Sequence, residues 1–275
     1  LPALSPTPGL IGAVVTAIVI SSLCMWAYGS VWWLAAGASD FAPWWTIQRI
    51  YARANVAKYI PGNVFQYVGR YQLAVGAGVD SSRTAASIAL ESLVMIIAAM
   101  IVVCVGYLAS PTSLAFIPAL VGKAHWLVVA LVFVVALAWW QRAFVMSLIN
   151  TLRQMVTLGR FLAAIALNIC IFVAIGASVT LLDREFVPHT SIEWVDYTWG
   201  FAIAWVLGFM VPGAPGGLGV REAVLFALFA KRLGPGEAAM LFLIFRVVTS
   251  VADLIVFALS FLGRPLRAPS ARTNP

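Results

Sequence analysis

No charged residue occurs from Leu1 to Ser39, from Ser92 to Gly122, from Ala124 to Gln141, or from Phe161 to Leu182. A helix that crosses a bilayer needs about 20 mostly apolar residues, and each of these runs is near that length or beyond it. In hydrocarbon the backbone must satisfy its own polar groups, which leaves helices and closed barrels. The runs are continuous rather than alternating, so an outer-membrane barrel is excluded. Only 10% of the 275 residues are charged and 63% are hydrophobic, against about 25% charged in a soluble domain. Disorder, coiled coil, disulfide scaffold and soluble globular domain are excluded with it. The expected fold is an all-α polytopic membrane protein, with residues 1–275 as one transmembrane domain.

The net charge is +7, carried by basic residues scattered through short loops. No basic block suits a nucleic-acid duplex, and anionic lipid headgroups are the better partner. Cys24, Cys104 and Cys170 lie in apolar stretches, where packing is their expected role. His125 and His189 have no neighbours at ligand spacing, so neither a metal nor a cofactor is expected.

The clear spans are about 10–36, 84–108, 124–141, 160–182 and 238–262. Trp32 and Trp33 end the first and Trp139 and Trp140 the third, as interface anchors do. Two regions resist this pattern. Residues 44–76 are semi-polar and broken at Pro61-Gly62; residues 197–232 are apolar but broken over Pro212, Gly213, Pro215, Gly216 and Gly217. Proline removes a backbone donor and clashes with the preceding turn, so neither region is one uninterrupted helix. Each reads as two short helices in a re-entrant hairpin or a discontinuous helix, with non-helical backbone shielded by protein or a cavity.

Loop charge orients the spans. The 142–160 loop carries Arg142, Arg153 and Arg160, and the tail carries Arg264, Arg267 and Arg272, all without an acid; residues 183–196 hold four acids against Arg184. The Lys/Arg bias puts the first two inside. The 44–76 element then opens on the inner face, and the 197–232 element enters and leaves by the outer face.

The two broken elements also resemble each other. Pro61 precedes Arg70 by nine residues and Pro212 precedes Arg221 by nine; a long helix follows each, carrying Glu91 in one copy and Arg246 in the other. Opposite orientation makes this an inverted repeat, a transporter layout with its site at the repeat interface. Repeat one is about 10–108, a connecting helix 124–141, and repeat two about 160–262.

These segments carry a family resemblance. RANVAKYIPGNVFQYVGRY (53–71), AASIALESL (85–93) and VPGAPGGLGVREA (211–223) resemble the lysylphosphatidylglycerol synthase transmembrane-region family, with similarity from about residue 10 to 262. The resemblance implies movement of aminoacylated phospholipid between leaflets, or roles with glycolipid or polyprenyl lipids, in a bacterial cytoplasmic (inner) membrane. It implies the membrane part only, without the soluble aminoacyl-transferase domain, and one further span upstream of residue 1.

Glu91, Arg246 and Asp253 fall well inside the apolar helices, where a charge at the helix centre costs about 2.5–3.5 kcal/mol on insertion scales and pairs or faces the bundle interior. Either a Glu91–Arg246 clamp between repeats or a headgroup or gating role fits; Asp253, seven residues beyond Arg246 on the same face, is the alternative partner. Arg70 and Arg221 offer guanidinium forks that match phosphate oxygens, unless each pairs with a local acid such as Glu222 or snorkels. Lys58, Asn55, Asn63, Gln66 and Tyr67 are expected to line the same cavity. The favoured function is a flippase for an anionic or aminoacylated phospholipid or a polyprenyl-phosphate lipid. The alternatives are a membrane enzyme using Glu91 or Asp253 as acid or base, and a non-catalytic partner presenting lipid to a separate synthase or glycosyltransferase.

Overall fold

The computed structural model describes residues 7–38, 41–61, 64–109, 156–186, 192–211 and 214–262. Among these, helices and short turns are the only elements. They are α1 (Pro8–Ala35), α2 (Trp44–Asn55) with a 3-10 turn (Val56–Tyr59), α3 (Phe65–Gly76), α4 (Ser81–Ala109), α5 (Leu158–Phe186), α6 (Trp194–Met210), a 3-10 turn (Pro215–Gly217), α7 (Val220–Leu233) and α8 (Pro235–Leu259). Four helices, α1, α4, α5 and α8, are long and apolar enough to cross a membrane, so the chain is an integral membrane protein of the helical type. The expected span 124–141 lies outside the described residues, as do Gly62, Asn63, Pro212 and Gly213.

All four described spans begin two or three residues earlier than the apolar runs suggest, and the helix starts explain the two largest shifts, in α4 and α8. Asp80 precedes α4, and its Oδ1 accepts from the Arg83 backbone N–H at 2.7 Å and the Ser82 hydroxyl at 2.8 Å. The Arg83 N–H is the main cause that holds the Asp80 carboxyl below the usual carboxylate range. Pro235 opens α8, where a missing N–H costs nothing. Trp32 is a correction of another kind. It is 0% exposed, and its indole N–H donates to the Ser87 hydroxyl at 3.0 Å. It sits between α1 and α4 as core rather than at a lipid interface, because a hydroxyl on α4 satisfies its one polar group.

Contacts at the helix ends give each element a direction. The Arg160 guanidinium donates to the Gly37 carbonyl at 2.9 Å, joining the end of α1 to the start of α5. Arg83, at the start of α4, lies over the Phe41 ring just before α2. Arg49 and Arg53 each donate to the Ser260 carbonyl at 3.0 Å, joining α2 to the end of α8. These contacts define a basic end. At the opposite end Gly9 of α1 abuts Glu185 of α5, Gly106 of α4 abuts Trp199 of α6, and Asp196 at the start of α6 pairs with Arg232 at the end of α7 at 3.0 Å.

Helices α2 and α3 pack together, and so do α6 and α7. Leu73, Ala77 and Val79 return to the cluster around Trp32, Ala36 and Phe41, so the α2–α3 hairpin opens at the basic end. The Asp196–Arg232 pair closes the mouth of the α6–α7 hairpin at the other end. At 12 residues each, α2 and α3 are about 18 Å long at 1.5 Å per residue, short of the roughly 30 Å hydrocarbon thickness. Helix α3 is also inside out. It buries Arg70 and exposes Val64, Phe65, Val68, Tyr71 and Val75 along one stripe.

Arg49 and Arg53 of α2 both meet the Ser260 carbonyl at the end of α8, where a cation is favoured. Arg49→Ala should destabilise the fold by about 1.5–3 kcal/mol, the range for a hydrogen bond to a charged group. Thermal unfolding in detergent measures this, and an unchanged midpoint would reject the cap.

Candidate functional site

The two hairpins meet tip to tip. The turn Pro215–Gly217 reaches Lys58: a methyl on Gly216 would stand 3.3 Å from Lys58 Cγ and 3.7 Å from Arg246 Nη2. Gly216 and Gly217 have φ of +56° and +73°, a conformation that glycine adopts without steric cost. Their missing side chains serve a second end. A methyl on Gly217 would fall 2.6 Å from Arg221 Nε, and one on Gly208 2.8 Å from Arg221 Cγ. The two glycines leave the channel through which the Arg221 side chain extends.

A cavity of about 130 Å³ lies at this junction. Lys58, Asn55, Gln66, Tyr67, Arg70 and Arg221 line it, as do Arg246, Asp253, Glu222 and Gly216. Its remaining wall is largely apolar and aromatic, including Met25, Tyr28, Tyr51, Phe201, Trp205 and Phe245. Four cations therefore meet two carboxylates at the wall. Pro61 is exposed at the edge of the first tip, and the backbone of Pro215 begins the second.

The intramembrane charges each have a partner, and the partners differ from the expected set. Glu91 pairs with Arg70, not with Arg246, and both are buried. The reason is the hairpin: α3 folds back beside α4 and carries Arg70 to Glu91. Tyr51, Tyr67 and Trp32 surround this guanidinium, with ring centroids at 4.5, 5.0 and 5.6 Å, an arrangement suited to a desolvated cation. Arg246 Nε stands 3.6 Å from Glu222 on α7. Asp253 accepts from Lys58 at 2.7 Å, from the Tyr59 hydroxyl at 2.5 Å and from Asn55 at 3.1 Å. It fastens the first tip to α8. Between α3 and α4 the short helix supplies the arginine and the long helix the acid; between α7 and α8 the short helix supplies the acid and the long helix the arginine.

Arg221 is the exception. It has no ion pair or hydrogen bond among the described residues, and its guanidinium lies 5.9 Å from the Trp205 ring centroid. Its Nε is buried and unsatisfied, and so is Nη2 of Arg246. Buried donors without acceptors are costly, so two unsatisfied guanidinium donors at one cavity mark a place suited to an anion. Among the described residues no cluster of His, Cys, Asp and Glu has the grouping of a metal site.

Sequence reasoning did not mark Tyr51, Trp205 or Glu222 as cavity residues. Glu222 was detectable as the neighbour of Arg221. The aromatic residues carry no signal that separates them from core packing. No protein-family model and no curated protein matches the chain.

Proposed function

We propose that the protein is a lipid transporter of the flippase type, moving a phosphate-bearing lipid between the leaflets of a bacterial cytoplasmic membrane. The observation that carries this reading is the pair of short hairpins, entering from opposite ends and meeting at a cationic cavity with two unsatisfied guanidinium donors. In this reading the hairpins are re-entrant and form the tips of an inverted repeat, with the basic end inside. Three features support it: the hairpin mouths at opposite ends, the length of α2 and α3, and the apolar outer face of α3. The motif resemblance to the lysylphosphatidylglycerol synthase transmembrane region belongs to the same proposal.

A volume of about 130 Å³ has room for a headgroup phosphate together with ordered waters. In this reading the acyl chains stay in the bilayer. The phosphoryl group is common to anionic phospholipids, aminoacylated phospholipids and polyprenyl-phosphate lipids. A membrane enzyme has less support, since Glu91 and Asp253 are both held by cations. A lipid-presenting role beside a separate synthase would use the same cavity, and differs in that no leaflet exchange occurs.

Arg221→Gln should abolish leaflet exchange of a labelled anionic phospholipid in reconstituted vesicles, at unchanged yield of folded protein. Arg221→Lys should rescue partly, because a point charge lacks the fork. A wild-type rate for Arg221→Gln would remove the phosphate from this reading; no exchange by the wild-type protein would remove transport.

A further inference from the structure

The two unsatisfied donors have a carboxylate beside them that does not satisfy them. Glu222 lies one residue after Arg221, and its Oε2 accepts from the Gly219 backbone N–H at 2.7 Å. Its Oε1 stands 3.6 Å from Arg246 Nε. That separation is loose beside the 2.7 Å of Lys58 to Asp253, and beyond ordinary hydrogen-bond length. Arg246 Nη2 and Arg221 Nε still lack acceptors. Gly216 borders the first of these groups and Gly217 the second, so consecutive residues of one turn hold both guanidinium groups at the same wall.

We infer that Arg221 and Arg246 form a two-guanidinium seat for a phosphoryl oxyanion, and that Glu222 is the internal anion its ligand must displace from Arg246. The seat deepens the transport reading and rests on its assignment of the cavity to a phosphate-bearing substrate. A phosphoryl group offers several oxygens to the two forks at once, whereas the one carboxylate reaches only one edge of Arg246 and is tethered by its bond to Gly219. The same tether keeps Glu222 close, so the seat is partly neutralised when empty. Holding two unpaired guanidinium groups at membrane depth would otherwise be costly.

Glu222→Gln separates the two jobs of this side chain. Glutamine can keep the capping bond to Gly219 but drops the competing charge. Binding is measured by calorimetry on the purified full chain in uncharged detergent, with inorganic phosphate in one arm and dihexanoyl phosphatidylglycerol in the other; dihexanoylglycerol is the phosphate-free control. Glu222→Gln should bind the phosphorylated probes at least about tenfold more tightly than the wild type, and Arg221→Gln or Arg246→Gln at least about tenfold more weakly. Equal or weaker binding by a folded Glu222→Gln overturns the proposal, as does wild-type affinity in both arginine variants. Glu222→Ala removes the same charge and supplies a second variant. If neither variant folds, Glu222 is a structural counter-ion and the proposal falls. A preference for the lipid probe over inorganic phosphate identifies a headgroup seat, and equal affinities identify a seat for free phosphate. Tight phosphate binding in a protein that exchanges no lipid would leave the seat standing and sink the transporter alone.

Discussion

Arg70→Met should cost about 3–5 kcal/mol of stability, the penalty for leaving a buried charge without its partner. Arg70 and Glu91 are 4% and 1% exposed, and among the described residues Glu91 has no second cation paired with it. The aromatic residues around the guanidinium cannot replace its charge for the carboxylate. The double variant Arg70→Met with Glu91→Leu should recover much of the loss, because exchanging a whole buried pair for apolar residues is often close to neutral. Thermal unfolding in detergent decides this. A wild-type midpoint for the single variant, or a double variant worse than the single, would show that the pair is not what holds α3 to α4. The contrast with Arg221 is the useful part: removing Arg70 should lower folded yield, while removing Arg221 should leave it intact.

Asp253→Ala is expected to be comparably severe. It takes the carboxylate from Lys58 and leaves Tyr59 with only the Ser250 hydroxyl and Asn55 with only the weak Met25 sulfur as acceptors. The charge lost is again worth about 3–5 kcal/mol. Asp253→Asn should be milder, since an amide oxygen still accepts one of these bonds. The readout that separates a loosened tip from general unfolding is the reactivity of Lys58 toward an amine-modifying reagent below the unfolding temperature. Asp253→Ala should raise it well before the helices melt. Unchanged reactivity together with an unchanged midpoint would mean that Asp253 does not fasten the tip.

Much of the architecture is legible in the residues, for a plain physical reason. Charge-free runs of bilayer length have few options, and α1, α4, α5 and α8 follow from them. The breaks at Pro61 and around Pro215 are equally readable, because proline and clustered glycine rule out a continuous helix. Arg70, Arg221, Lys58, Asn55, Gln66 and Tyr67 stand out as polar residues beside those breaks, and the structure brings all six to one cavity. The pairing of the intramembrane charges was not legible. Spacing along α8 puts Arg246 and Asp253 on one face, and both do reach the cavity. Which acid meets which cation depends on how the hairpins fold back, a distance that no helical period encodes. Trp32 misleads in the same way. A tryptophan near the end of an apolar run looks like an interface anchor until a hydroxyl on another helix, here Ser87, turns it inward.

The Asp253 contacts also set an order on assembly. Arg70 and Glu91 are 21 residues apart, so they can join as soon as α4 has been made. Asn55 and Asp253 are 198 apart, and Arg49 and Ser260 are 211 apart. At a synthesis rate of about 5–20 residues per second, the first hairpin waits roughly 10–40 s for the helix that neutralises its tip. During that interval Lys58 lacks the carboxylate that pairs with it in the folded protein. A chain truncated before Asp253 lacks the acceptor that fastens the first tip, and its α2–α3 hairpin should be less protected than in the full chain.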